Sequence, residues 1–131
     1  MHCLDDLIMK MREATKRILG AVSFTFQAPE TPLPDKMSLE FKRTIFLFYK
    51  ECLNNIVKHA AAKTVKIEVR SAGRGFVLAI TDDGKGFNPS SHTSGLGLKN
   101  LQGRADQIKG ELVISSEPGK GTRITLTVKT T

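Results

Sequence analysis

Residues Glu51–His59 read ECLNNIVKH. Wound as a helix at about 100° per residue, this stretch puts Glu51, Asn55, Lys58 and His59 within an arc of about 100°. On the opposite side the same helix presents Ile45, Phe46, Tyr49, Leu53, Ile56, Val57 and Ala60, a broad apolar stripe of the kind that docks a helix on a sheet. One surface is given to a core. The other gathers a carboxylate, an amide, an ammonium and an imidazole. Polar faces of amphipathic helices are usually just solvated, so the meaning of this one depends on what the rest of the chain brings to it.

Working outward, the helix is expected from about Ser38 to Ala61, with Asp35 or Ser38 as its cap. The preceding APETPLPD has three prolines, which exclude regular structure and make it a connector. Before it, Val22, Phe24 and Phe26 alternate with polar residues as a half-buried strand. At the start of the chain Leu4, Leu7, Ile8, Met11, Ile18 and Leu19 recur near helical spacing over residues 2–19, and Gly20 is a natural stop. That helix is too short to be stable alone and needs a partner.

On the other side, Val65, Ile67 and Val69 alternate with Lys66, Glu68 and Arg70, a Gly-rich turn spans 71–75, and residues 76–81 are almost continuously apolar. The pattern is a hairpin whose second strand is buried on both faces. That strand delivers Asp82 at its carboxyl end, in DDGKGF (82–87), where Gly84 and Gly86 permit backbone conformations closed to other residues and the close approach of a ligand. The small polar stretch NPSSHTS (88–94) reads as a mobile lid. GLGL (95–98) opens a helix over about 98–108, whose first N–H groups make a natural anion site. Residues 112–116 and 122–128 flank EPGKG as a second hairpin, with Ile124, Leu126 and Val128 inward. The order of elements implies an α+β two-layer sandwich: a mixed, mostly antiparallel sheet covered on one face by helices.

Composition narrows the function. A chain of 131 residues with 40% hydrophobic residues suits one globular core. It has no apolar run of about 18 residues, and MHCLDDLIMKMRE is too charged for a signal peptide. A cytoplasmic location and no direct membrane contact are expected. The two cysteines, Cys3 and Cys52, are far apart, and neither a disulfide nor a zinc site is expected. The net charge of +7 favours a polyanionic partner. Nucleic acid is disfavoured, because the basic residues are scattered, only 6% of residues are aromatic and no recognition motif is visible. Two phosphate motifs fail: in PGKGT, Lys120 is followed by Gly121 rather than Ser or Thr, and the dinucleotide fingerprint begun by Gly95 and Gly97 has Asn100 in place of its third glycine.

Taken together, the boxes Glu51, Asn55, Lys58 and His59; Asp82, Gly84 and Gly86; Gly95, Gly97 and Leu98; and the closing Gly121 and Thr122 resemble the ATP-binding domain of bacterial sensor histidine kinases, within the wider group of ATPases that includes gyrase, heat-shock chaperones and mismatch-repair proteins. The resemblance covers roughly residues 22–131. Its wording NNIVKHA and SEPGKGT, with no phenylalanine-containing box before Gly95, is similar to the subfamily paired with helix-turn-helix response regulators.

The resemblance implies the Bergerat-type ATP-binding fold, with residues 1–20 as the tail of a dimerisation helix and 21–131 as the catalytic domain. It implies ATP and Mg²⁺ as cofactors. Asn55 would hold the metal, Glu51 would orient a metal-bound water or assist proton removal, and Lys58 and His59 would meet phosphates. Asp82 would accept a hydrogen bond from the adenine amine, with Gly84, Gly86, Gly95, Gly97, Leu98 and Thr122 completing the nucleotide site. Asp83 is expected to cap the turn, and Lys99 and Arg104 either reach the triphosphate or are solvated. The implied partners are a histidine-bearing dimerisation domain of the same parent protein and a response regulator. No histidine here sits in the family's phosphoacceptor context, so the chain alone is not expected to autophosphorylate. The alternative is an anti-sigma-factor-type serine kinase of the same fold.

Overall fold

Ser38 starts the central helix. Its backbone is extended, at φ −67° and ψ 160°, and its Oγ accepts the Phe41 N–H at 3.0 Å, satisfying one of the donors that a first helical turn leaves over. The computed structural model describes residues 4–29, 38–73, 75–87 and 98–129. In chain order these form α1 (Leu4–Leu19), β1 (Ser23–Gln27), α2 (Leu39–Asn55), a π-helical turn (Ile56–Ala60), β2 (Thr64–Ala72), β3 (Gly75–Asp82), α3 (Leu98–Gln107), β4 (Glu111–Ser116) and β5 (Thr122–Lys129). Among the described residues no helix is long and apolar enough to cross a membrane. The NPSSHTS stretch, Gly95, Gly97, Cys3 and the proline-rich connector, with Asp35, lie outside the described residues.

The α-helix expected to run unbroken to Ala61 is corrected: it gives way after Asn55 to a single π-helical turn and ends at Ala61, which takes the left-handed conformation at φ 52°. The apolar stripe is also centred differently. Ile45, Phe48, Tyr49, Cys52, Leu53 and Ile56 are buried, whereas Val57, about 100° further round from Ile56, lies beyond the edge of the stripe and is 49% exposed. Cys52 is a free thiol with no exposed surface, and burial pushes its titration up.

The sheet has the order β1-β2-β3-β5-β4. β1 pairs in parallel with β2, from Ser23 opposite Thr64 to Gln27 opposite Glu68, and every other pairing is antiparallel. The mixed, mostly antiparallel sheet read from the sequence is therefore present. β3 is the central strand, and Phe76, Leu78, Ala79 and Ile80 are all buried, as its unbroken apolar run requires. Val65, Ile67 and Val69 of β2 and Ile124, Leu126 and Val128 of β5 join the same core as the α2 stripe.

α1 finds its partner in α2. Leu7, Met11 and Leu19 enter the shared core, and Ala14 and Thr15 between them have no exposed surface. The Thr15 hydroxyl donates to the Met11 carbonyl at 2.6 Å and lies 2.5 Å from the Tyr49 hydroxyl. A threonine has a single hydroxyl proton, so with that proton on Met11 the Tyr49 O–H is the donor to Thr15. Burial raises the Tyr49 titration, keeping the phenol protonated as this bond needs. The two substitutions are then unequal. Thr15→Val strands a buried O–H donor and is expected to cost about 1–3 kcal/mol, while Tyr49→Phe removes the donor and leaves only a spare acceptor lone pair, costing about 1 kcal/mol. Urea denaturation of both variants and the double variant checks this: the double should lose less than the sum of the singles.

Candidate functional site

From Lys85 onward, the loop after β3 is fixed by contacts of its backbone. The Lys85 N–H donates to the Ala60 carbonyl at 2.7 Å, and the Lys85 carbonyl accepts the Gly119 N–H from the β4–β5 turn. The Phe87 N–H donates to Ser116 Oγ at 2.9 Å. The loop thus bridges the end of the π-helical turn and the β4–β5 hairpin.

Its glycines are steric necessities. A Cβ on Gly84 would stand 2.3 Å from the Ala60 carbonyl oxygen. Gly86, at φ +64°, would place one 2.1 Å from the Glu117 carbonyl oxygen. The close approach at both positions is made by the protein's own backbone, where the sequence reading expected a ligand.

A cavity of about 350 Å³ opens between these elements. Cys52 and Asn55 of α2 line it, with Ile56, Lys58, His59 and Ala60 of the π-helical turn, Asp82 of β3, Lys85, Gly86 and Phe87 of the loop, Leu98 of α3, and Thr122 and Ile124 of β5. Its size is in the range of small-molecule sites, and apolar walls with a few polar groups are what such sites use. Of the sequence-derived candidates, Asn55, Lys58, His59, Asp82, Gly86, Leu98 and Thr122 are brought together on this cavity. Gly84 is buried beneath it, packed on Ala60. Glu51, one turn before Asn55, is not on the wall: its Oε1 accepts from Arg104 Nε at 3.2 Å. Arg104, expected to reach a triphosphate or stand in solvent, is in that pair instead.

The sequence reading missed Lys85, Phe87, Ile124, Cys52, Ile56 and Ala60 as wall residues. Phe87 follows the second glycine box directly and could have been taken with it. Ile124 carries no local signal, because only strand pairing brings it there.

The neighbouring carboxylates differ. Asp82 is 7% exposed, and Oδ1 accepts the Gly84 N–H at 2.8 Å. Burial pushes its titration up; the Gly84 bond opposes this and the adjacent Asp83 charge adds to it. Asp83 is exposed and accepts the Lys63 N–H at 2.8 Å, the Thr64 N–H at 2.9 Å and the Thr64 hydroxyl at 2.9 Å, and these bonds hold its titration down. The turn-capping bond therefore belongs to Asp82, and Asp83 instead fastens the chain as it enters β2. Thr122 is committed as well. Ser116 Oγ donates to the Gly121 carbonyl at 3.0 Å, so at 2.9 Å the Thr122 hydroxyl donates to Ser116 and offers the cavity only lone pairs.

The family described as histidine kinase-, DNA gyrase B-, and HSP90-like ATPase matches residues 42–131. The chain belongs to this ATPase family. Its Salmonella typhimurium relative, named signal transduction histidine-protein kinase/phosphatase UhpB, is 34% identical over 95% of the chain. The sensor histidine kinase DesK of Bacillus subtilis is 31% identical over 86% of it. The chain spans 25% and 30% of the lengths of these two relatives.

Solved structures of the ATPase family share the fold. The histidine kinase domain of the Erythrobacter litoralis EL346 blue-light activated histidine kinase superposes with a TM-score of 0.76 at 20% identity, covering 94% of this chain and 60% of that one. The Acinetobacter baumannii histidine kinase AdeS gives 0.75 at 19% identity, covering 98% and 65%. Residues 42–131, the stretch matched by the ATPase family, include every described residue of the cavity wall.

The two aspartates predict opposite effects on stability. The folded Asp82 carboxyl keeps its proton to higher pH than the unfolded one, so its ionisation destabilises the fold as pH rises through the ordinary carboxylate range. Asp83 is the reverse: it stabilises at neutral pH, and that stability is lost as pH falls through its lowered titration. Asp82→Asn is therefore expected to raise the urea midpoint at pH 7 and Asp83→Asn to lower it, both differences shrinking at a pH where the carboxyls are protonated.

Proposed function

We propose that the cavity binds Mg-ATP and that the chain is the ATP-binding catalytic portion of a sensor histidine kinase, passing the γ-phosphoryl to a histidine on a dimerisation domain. The observation that carries this reading is one cavity lined at once by the buried Asp82, by the apolar Ile56, Phe87, Leu98 and Ile124, and by Asn55, Lys58, His59 and Lys85. An acceptor buried among apolar groups suits the adenine amine, and cations suit the phosphates.

In this reading the Asp82 carboxylate takes the exocyclic amine, and Ile56, Phe87, Leu98 and Ile124 enclose the ring. Lys58 and His59 meet the phosphates, Thr122 contributes an acceptor, and the backbone at Gly84 and Gly86 shapes the base pocket. By the sequence resemblance, Gly95 and Gly97 also belong to the nucleotide site. Asn55 supplies an oxygen to Mg²⁺. The donor suits that ion, because a side-chain amide oxygen is a hard ligand of the kind Mg²⁺ takes. Mg²⁺ needs only one or two protein oxygens when it arrives with phosphates and its own waters. When bound, Mg²⁺ supplies charge neutralisation on the phosphate oxygens. Glu51, one helical turn before Asn55, would orient a metal-bound water or assist removal of the acceptor's proton.

The same reading makes residues 1–20 the tail of a dimerisation helix and 21–131 the catalytic domain of a cytoplasmic portion. The parent's partner is a response regulator with a helix-turn-helix output domain, the class implied by the sequence wording.

Calorimetric titration with ATP, with and without Mg²⁺, tests the binding step. The wild type is expected to bind more tightly with Mg²⁺, and Asn55→Ala to lose that difference; equal affinities in the wild type would remove the metal role. In Asp82→Asn the amide oxygen is held by the Gly84 N–H, so its NH₂ turns toward the adenine amine. A loss of about tenfold to a hundredfold in affinity is expected from a folded variant. Incubation with γ-labelled ATP is expected to leave this chain unlabelled and to label a histidine-bearing hairpin supplied in trans, because in-line transfer needs the acceptor within about 3.5 Å. Acid-labile label on the isolated chain would show that the acceptor is internal.

A further inference from the structure

The pair between Glu51 and Arg104 joins two helices that bound the cavity from different sides. Glu51 is on α2, four residues before Asn55, so the two share a helix face. Arg104 is on α3, six residues after the cavity-lining Leu98. Leu101 and Ala105 are fully buried and seat α3 against the core, which places the Arg104 backbone firmly. The guanidinium Nε donates to Glu51 Oε1 at 3.2 Å, with the two side chains 33% and 20% exposed.

We propose that Arg104 is a positioning residue for the phosphoryl-transfer reaction, acting through Glu51: it holds the glutamate carboxylate, one helical turn before Asn55, in one orientation. This rests on the reading of the cavity as a Mg-ATP site. The argument starts from the glutamate. A carboxylate on a helix surface rotates about three side-chain torsions, and such freedom costs rate when the group must meet a reacting proton or a metal-bound water in one geometry. A planar, rigid guanidinium fixes a carboxylate better than a flexible ammonium does. Arg104 is not among the described residues that line the cavity, and its hydrogen bond is to Glu51.

The pair also ties the position of α3 to that of Glu51. Like an outer-shell partner of a metal ligand, whose loss typically costs 10- to 100-fold, Arg104 is expected to affect rate rather than nucleotide affinity.

The test is a double-mutant cycle on Glu51→Gln and Arg104→Gln, with Arg104→Lys as the conservative variant. Transfer from saturating Mg-ATP to a dimerisation hairpin in trans gives the rate, calorimetry gives the ATP and ADP affinities, and urea denaturation gives the stability. Arg104→Gln is expected to slow transfer about 10- to 100-fold while changing ATP affinity by no more than about twofold, with Arg104→Lys recovering part of the rate. In the Glu51→Gln background Arg104→Gln is expected to have no further effect, because a residue that acts only through Glu51 has nothing left to position.

Effects that multiply in the double variant, or a wild-type rate in Arg104→Gln, would overturn the proposal. So would a selective loss of ATP over ADP affinity, which would put the guanidinium on the γ-phosphate directly. A wild-type chain that binds Mg-ATP but transfers nothing removes the reaction Arg104 is said to serve, and also overturns it. A wild-type chain that binds no Mg-ATP overturns instead the reading of the cavity.

Discussion

The hydrogen bond from Lys85 N–H to the Ala60 carbonyl, and the glycine contact beneath it, set the distance between the end of the helical layer and the end of the sheet. α2 and its π-helical turn carry Asn55, Lys58 and His59, while β3 carries Asp82, and nothing in either element alone fixes how far apart these groups stand. Gly84 has no side chain to hold the Ala60 carbonyl away, and Gly86 reaches φ +64° so that the loop can turn back onto Glu117. The β4–β5 turn grips the loop from the other side through Gly119 and Ser116. The cavity is the space left when three segments distant in sequence are latched by main-chain bonds.

That construction separates rigidity from chemistry. Most of the bonds that hold the loop engage its own backbone N–H or C=O groups, so the loop is held with little use of the side chains that face the cavity. Asp82 is the exception, since one of its oxygens serves the loop by accepting from Gly84 while its burial disfavours the charge. A buried carboxylate that raises the energy of the unliganded fold is a common feature of binding sites, where a donor on the ligand relieves the cost. Asp83, one residue on, faces the opposite way, bonded by three donors at the start of β2. Of two adjacent aspartates one thus faces the cavity and the other the start of β2, and the alternation of side chains along an extended chain is the reason.

Much of this was legible in the amino-acid sequence. Apart from the π-helical turn that replaces the last turn of the central helix, hydrophobic periodicity located the helices and strands to within about two residues, because period 3.6 and period 2 follow directly from backbone geometry. The buried central strand was visible in FVLAIT, and the glycine boxes were visible as positions where a side chain could not be tolerated. The stripe on α2 was read slightly out of phase: Val57 was included where Phe48 and Cys52 lie at its centre, since neighbouring apolar residues on a crowded helix do not say which of them faces inward.

The sequence by itself determined the element order, the mixed sheet under a helical layer, and the clustering of Glu51, Asn55, Lys58 and His59 on one helix, all of which depend on local pattern. Only the tertiary structure decided which groups share a wall. It put Lys85, Phe87 and Ile124 on the cavity, turned Glu51 toward Arg104, gave the turn-capping bond to Asp82, and set Ala60 against Gly84. Glu51 and Arg104 are 53 positions apart. A pairing across that distance is set by the docking of α3 on α2, by how Leu101 and Ala105 fill the core, and no local pattern encodes it.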